Sequence, residues 1–252
     1  MTRTLGRRTG ERKQQVLELT EQAGKLVERS IREAKRLVVV ARRGARGRGA
    51  QAKLRQIRKL EQFTERVSEQ IQKRMRGERI TDRLVSIFDP DARPIRKGKL
   101  GKPNQFGFIA QICEVTANTK TGARGLIIPA TSKLGNPPED TLLPDTAAEL
   151  ERLGISPREV ALDGGFNVGP TCEALEPFDP ERTFIAGRQQ PGSRRTQRRL
   201  ARYRTGSEGR ISHLKRGYGV RRTRLKDHHG MQTWTGWSIL TYNLDTLAIR
   251  AS

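Results

Sequence analysis

Val160-Ala161-Leu162-Asp163-Gly164-Gly165-Phe166 is a short apolar run that ends in a carboxylate and two glycines. Residues 159 to 162 have the length and composition of a buried parallel strand. An acid at the carboxyl end of such a strand stands at the rim of an open sheet, where the active sites of such sheets form. The glycines leave the backbone open to close approach by a large ligand. From this segment alone, a turn aspartate whose glycines reverse the chain fits equally well.

The surrounding pattern makes the run part of a mixed α/β region. Upstream, Arg83 to Phe88, Phe106 to Val115 and Gly125 to Ala130 read as three strands in series, the last after a Thr121-Gly122 turn. A helix follows Asp140, with Leu142, Leu143, Ala147, Leu150 and Leu153 as its apolar stripe, Pro144 in its first turn and Gly154 at its end. Downstream come a helix around Thr171 to Leu175, a strand at Thr183 to Ala186, and a last helix over 233–249 bearing Trp237, Leu240, Leu244 and Leu247. Strands in series followed by βαβ units predict a mixed sheet with helices on its faces. Residues 1–80 are different. Val16, Leu19, Ala23, Leu26, Val27, Ile31, Ala34 and Val38, then Leu54, Ile57, Leu60, Phe63, Val67, Ile71 and Met75, recur at helical spacing on either side of a glycine-rich basic turn at 44–49. That predicts a basic helical hairpin over 1–80 and a separate region over 81–252.

Charge identifies the class of partner. The chain has 252 residues, 50 basic and 27 acidic, for a formal charge of +23. Such an excess points to a polyanion, with nucleic acid first and anionic membrane second. Hydrophobic content of 34% and aromatic content of 5% are lean, which fits a moderate core carrying charged extensions. No stretch has the apolar length to span a bilayer, and the amino end has no secretory pattern. Cys113 and Cys172 form no metal-spacing motif, so the expectation is a cytoplasmic protein with reduced thiols.

The basic residues are concentrated. From Arg182 to Lys226 there are fifteen Arg and Lys residues and one acid, Glu208. Gly206 and Ser207 read as a helix start, which places Glu208 in a first turn, where the helix dipole favours an acid. That accounts for the carboxylate but not for the bases around it. If Asp163 and Glu208 point into one cleft, their hard oxygens suit magnesium or manganese, and the bases of 194–226 suit a phosphate backbone. Other groupings are weaker. Arg93 to Lys99 is a basic loop, as consistent with phosphate contact as with a charged surface. His228-His229 reads as a solvated turn, and Trp237 as core, with Trp234 open. Ser207 and His213 lack the third member of a hydrolase triad.

Four stretches resemble the bacterial insertion-sequence transposases of the DDE type, in particular their ISNCY group. They are Arg83 to Lys99; Gln105-Phe106-Gly107-Phe108 with Gly135-Asn136-Pro137; Leu162-Asp163-Gly164-Gly165-Phe166; and Tyr203 to Gly219, ending in Tyr242-Asn243-Leu244. The resemblance covers most of the chain. It implies a ribonuclease-H-like mixed sheet flanked by helices and an activity of metal-dependent DNA strand cleavage and transfer. It makes Asp163 and Glu208 the second and third catalytic acids and the ligands of Mg2+ or Mn2+. Arg204, Arg210, Lys215, Arg216, Arg221 and Arg222 become the residues that hold DNA. The implied partners are double-stranded DNA, at transposon ends and target, and a second copy in a homodimer. The implied location is the bacterial cytoplasm, at the nucleoid. The family's first acid lies on a strand upstream of the long helices, and Met1 to Arg7 resembles the sequence after that strand. The expectation is therefore a truncated chain without the first core strand, weak in metal binding and with little strand-transfer activity. Asp89 and Asp91 stand in a family segment that is not the usual place of that acid. The alternative is a non-catalytic basic DNA-binding protein; an RNA-associated structural protein fits the charge but not the two acids.

Overall fold

The structure is a computed structural model that describes residues 10–44, 46–95, 105–116, 124–135 and 137–251. Most of the expected 93–99 loop, the 121–122 turn, Asn136 and the first nine residues lie outside these. The chain is α/β and mostly helical, and it divides into two compact units, Met1–Pro90 and Asp91–Ser252.

The first unit, which runs to Pro90, holds two long helices. Helices α1 (Gly10–Gly44) and α2 (Arg48–Met75) run antiparallel, because contacts that climb one helix descend the other. A Cβ on Gly24 would lie 3.0 Å from Ile71, and Lys35 meets Glu65 at 2.7 Å. The turn uses Gly47 at φ 88°, a conformation that favours glycine. Only part of the apolar stripe is used. Val38 and Leu54 are buried, whereas Leu26 and Leu60 lie exposed. The expected strand at 83–88 is not a strand. Leu84 is buried, but its backbone pairs with a side chain: its N–H donates to Gln70 Oε1 at 2.7 Å, and Gln70 Nε2 donates to its carbonyl at 3.3 Å. The amide of Gln70 replaces a neighbouring strand.

In the second unit the strands are short and fall into three two-stranded ladders among the described residues. β1 (Arg93–Ile95) pairs antiparallel with β2 (Gln105–Gly107), and β3 (Glu114–Val115) with β4 (Leu126–Ile127). The long strands expected over 106–115 and 125–130 are interrupted. Gln111 bridges Thr131, yet Glu114 pairs with Ile127, so the register slips by one residue between them. That slip is a bulge, and it ends regular pairing. β5 (Glu159–Leu162) and β6 (Arg182–Ile185) are parallel, Leu162 opposite Ile185.

Helices cover these ladders. A 3-10 turn, Glu139–Leu142, leads into α3 (Leu143–Arg152), with Pro144 in its first turn as expected. α4 (Val168–Leu175) connects β5 to β6. One core joins Leu143, Phe166, Leu175 and Ile185. A second joins Ile127, Leu214, Ile239 and Tyr242. α5 (Arg194–Gly217) is one continuous helix, so Gly206 and Ser207 lie in its middle rather than at a start.

α6 (Asp227–Ala251) turns a different face inward from the one expected. Met231, Thr235, Ser238, Ile239, Tyr242 and Thr246 are buried, while Trp237 is 65% exposed and Leu240, Leu244 and Leu247 are at the surface. Polar partners explain the choice. The Tyr242 hydroxyl donates to the Gly125 carbonyl at 3.2 Å, and the Arg124 guanidinium lies 4.2 Å above its ring. Asn243 serves β4 as Gln70 serves Leu84: its Oδ1 accepts from Ile127 N–H at 2.9 Å and its Nδ2 donates to the Ile127 carbonyl at 2.8 Å. Asn243→Ala strands both of these groups beside the second core. The expected cost is about 2 kcal/mol, read as a lower urea midpoint with an unchanged slope; an unchanged midpoint would show that Asn243 does not hold this edge.

Candidate functional site

The site is assembled where α5 crosses β5. Three arginines of the helix reach three acids carried by the strands. Arg199 Nη2 donates to Glu159 at 2.6 Å, Arg204 Nη1 to Asp163 at 3.1 Å, and Arg210 Nε to Glu114 at 3.0 Å. Glu159 also accepts from Arg182 Nη1 of β6 at 2.8 Å. Its carboxyl is held below the ordinary carboxylate range, first by the Arg199 hydrogen bond. Glu114, with a side chain 5% exposed, takes in addition the Gly125 N–H at 2.7 Å and the Ser207 hydroxyl at 3.4 Å.

Asp163 follows β5 directly, at the carboxyl end of its parallel pairing with β6. Glu208 projects from the middle of α5. Both acids meet the same atom: Arg204 Nη1 lies 3.1 Å from Asp163 Oδ1 and 2.7 Å from Glu208 Oε1. The two oxygens therefore cannot be more than about 5.8 Å apart, the sum of these distances. Both carboxylates are more than half exposed, while Arg204 is largely covered.

The glycines after Asp163 lie in a turn, one of the two uses the sequence leaves open: Gly164 N–H donates to Asp163 Oδ1 at 2.7 Å and Phe166 N–H to the Asp163 carbonyl at 3.4 Å. A Cβ on Gly164 would meet the Ala186 carbonyl oxygen at 2.9 Å, and one on Gly165 would meet Glu139 Oε2 at 2.0 Å. The close approach is made by the protein's own backbone and by a third acid. Glu139 is brought there by the 3-10 turn, whose carbonyl accepts from Gln111 Nε2 at 3.0 Å. Among the described residues no cation pairs with its carboxylate. Although Glu139 reaches the surface, partial burial of its carboxyl pushes the pKa up, and the negative charges of Asp163 and then Asp140 push it further. Asp140 is itself bonded to Asn167 Nδ2 at 2.6 Å, and Asn167 to Arg188.

The expected DNA-holding residues divide. Arg204 and Arg210 are turned inward onto acids. Lys215, Arg216, Arg221 and Arg222 are exposed, and among the described residues they have no carboxylate partner. Arg194 and Arg198 are exposed on the same helix and border an open hollow of about 360 Å³ with Phe184, Gln190, Gln197 and Ala201. Asp91 is not at the site: its Oδ2 accepts from His228 N–H at 3.2 Å, at the start of α6. Asp89 belongs to the first unit. His228 is half-buried and shares a hydrogen bond of 2.9 Å with Ser132, so it is not a solvated turn residue. Trp234 is committed too, its Nε1 donating to the Gly219 carbonyl at 3.0 Å.

Glu139 and Glu114 were not singled out in the sequence. Glu139 stands in Pro137-Pro138-Glu139-Asp140, which reads only as the lead into a helix. Glu114 leaves a signal, the one charged residue in the strand run of 106–115. Among the described residues no group of three or more His, Cys, Asp or Glu side chains forms a metal-binding cluster. No helix among them is long and apolar enough to cross a membrane. No family model, curated protein or solved structure matches the chain.

The raised pKa of Glu139 gives a pH signature. A group that holds its proton more tightly when folded supports the fold below its unfolded pKa, and that support is lost as pH rises through its folded-state pKa. Glu139→Gln, which mimics the protonated form, should therefore raise the melting temperature at pH 7. The gain should vanish near pH 4, where wild-type Glu139 is protonated as well. A gain that is the same at both pH values would exclude charge as its cause.

Proposed function

We propose that the second unit is the catalytic region of a DDE-type DNA transposase, with a ribonuclease-H-like arrangement and with Asp163 and Glu208 as its metal-binding acids. The observation that carries this reading is the shared guanidinium of Arg204. It puts an acid from the end of a parallel strand and an acid from a crossing helix around one positive charge.

The donor set fits a hard divalent cation. Carboxylate oxygens suit Mg2+ or Mn2+, and the guanidinium already stands between them as a cation. When bound, such an ion activates a water and stabilises the leaving 3′ oxygen of a phosphodiester. The rest is done by the chain. Arg194, Arg198, Thr205, Glu208, Ser212 and Lys215 follow one another at steps of three, four or seven, so they share one face of α5. Arg194 and Lys215 are 21 residues apart on this helix, about 32 Å at 1.5 Å per residue. That spans roughly nine base pairs of duplex at 3.4 Å each. Bases at both ends of the face hold phosphates on either side of the acids and fix the strand in register over them. Arg216, Arg221 and Arg222 extend the cationic surface past the carboxyl end of α5.

The same trio also supports a second reading, a non-catalytic DNA-binding protein in which the acids only orient Arg204. Metal binding separates the two. Asp163→Asn with Glu208→Gln should weaken Mn2+ binding at least tenfold and leave duplex binding intact. Replacing Lys215 and Arg216 by Ala should lower the slope of log affinity against log salt by about 1.8 if both touch phosphate. Mn2+ binding that ignores the double substitution would establish the second reading.

A further inference from the structure

Arg204 occupies the position a divalent cation needs. Its Nη1 takes up Asp163 Oδ1 and Glu208 Oε1, the same two oxygens that a metal between these acids would use. A Mg2+ ion binds oxygens at about 2.0–2.1 Å, closer than either atom stands to the guanidinium nitrogen. An ion drawn onto these two oxygens would stand directly against the guanidinium, and the repulsion of like charges makes the two cations compete for the acids. The helix face around it is cationic, and a planar guanidinium pairs with phosphate as well as with carboxylate.

We infer that Arg204 is an internal counter-ion that couples DNA binding to metal binding at this site; the inference rests on the reading of Asp163 and Glu208 as metal-binding acids. Without DNA, the guanidinium neutralises part of the charge of the two acids and competes with metal. A DNA phosphate arriving on the face of α5 offers the guanidinium a new partner. Its departure bares two carboxylates beside a phosphate, an arrangement of like charges that a divalent cation relieves. Each ligand thus removes an obstacle to the other, and the coupling is reciprocal. The device keeps the site from taking up metal until a substrate strand is in place. Arg204 acts here as a positioning residue.

The test uses the full chain as wild type, Arg204→Gln, and Asp163→Asn with Glu208→Gln. Mn2+ binding without DNA is read from the loss of the free-ion paramagnetic resonance signal. Affinity for a short fluorescent duplex is read by anisotropy at fixed ionic strength, with and without Mn2+. Arg204→Gln should bind Mn2+ about tenfold more tightly than wild type, within the usual range of coupling between sites. Mn2+ should raise the duplex affinity of the wild type by a similar factor and that of Arg204→Gln by less. If the double acid substitution abolishes Mn2+ binding but Arg204→Gln binds no more tightly than wild type, the metal site stands and the coupling falls. If no Mn2+ binding depends on the acids in any variant, the metal reading falls and the coupling with it. Should Arg204→Gln not fold, the wild type alone decides: a duplex affinity indifferent to Mn2+ overturns the inference.

Discussion

A helix as basic as α5 would repel itself and its neighbours if its charge were left unmet. Three acids on the strands meet it: Glu159 at the start of β5, Asp163 just past its end, and Glu114 on β3. Each takes one arginine, and together they fix where α5 crosses the ladders. The ladders are small, and among the described residues β3–β4 and β5–β6 share no backbone pairing. The helix connects them through Arg199 and Arg204 on one side and through Ser207, Arg210 and the buried Leu214 on the other.

These pairs differ in kind. Glu114 and Glu159 are nearly covered, and their arginines are at most about a third exposed. Breaking such a pair leaves an uncompensated charge in a poor solvent, which makes the pairs strict about geometry whatever their net contribution to stability. Asp163 and Glu208 are exposed, so water competes for them, and the net worth of their bonds to Arg204 is small. The covered pairs thus hold the scaffold, while in the trio the two carboxylates lie open to water and only Arg204 is largely covered.

Much of this arrangement was legible from local pattern, because much of it depends on local chemistry. The periodicity of α1 and α2, the strand of 159–162 and the helix after Asp140 follow from spacing and from proline placement. The residues that failed were those decided by distant partners. Arg83 to Phe88 has the composition of a strand, yet the Gln70 amide satisfies Leu84, and nothing near residue 84 announces it. In α6, Trp237 and Leu240 make the more apolar stripe, but the helix turns inward the face whose tyrosine and asparagine bond the backbone of Gly125 and Ile127. Buried donors and acceptors left unpaired cost more than exposed leucines.

Asp163 and Glu208 illustrate the same limit from the other side. Their residue types pointed to one site, but no pattern in the sequence states that Arg204 stands between them. Spacing puts Arg204 one helical turn before Glu208 only because α5 runs unbroken through Gly206, where the sequence reads as a helix start. The contact to Asp163, 41 residues away, depends on how α5 crosses β5. That crossing is set by Arg199 on Glu159 and Arg210 on Glu114, so residues outside the trio determine whether the two acids share a cation. Glu139 enters the same way, carried by a turn whose position follows from Gln111. Its pKa is raised first by partial burial and then by the negative charges of Asp163 and Asp140 close by. Beside a strongly basic helix, two carboxylates thus share the Arg204 guanidinium, and a third, Glu139, adds its negative charge close to Asp163.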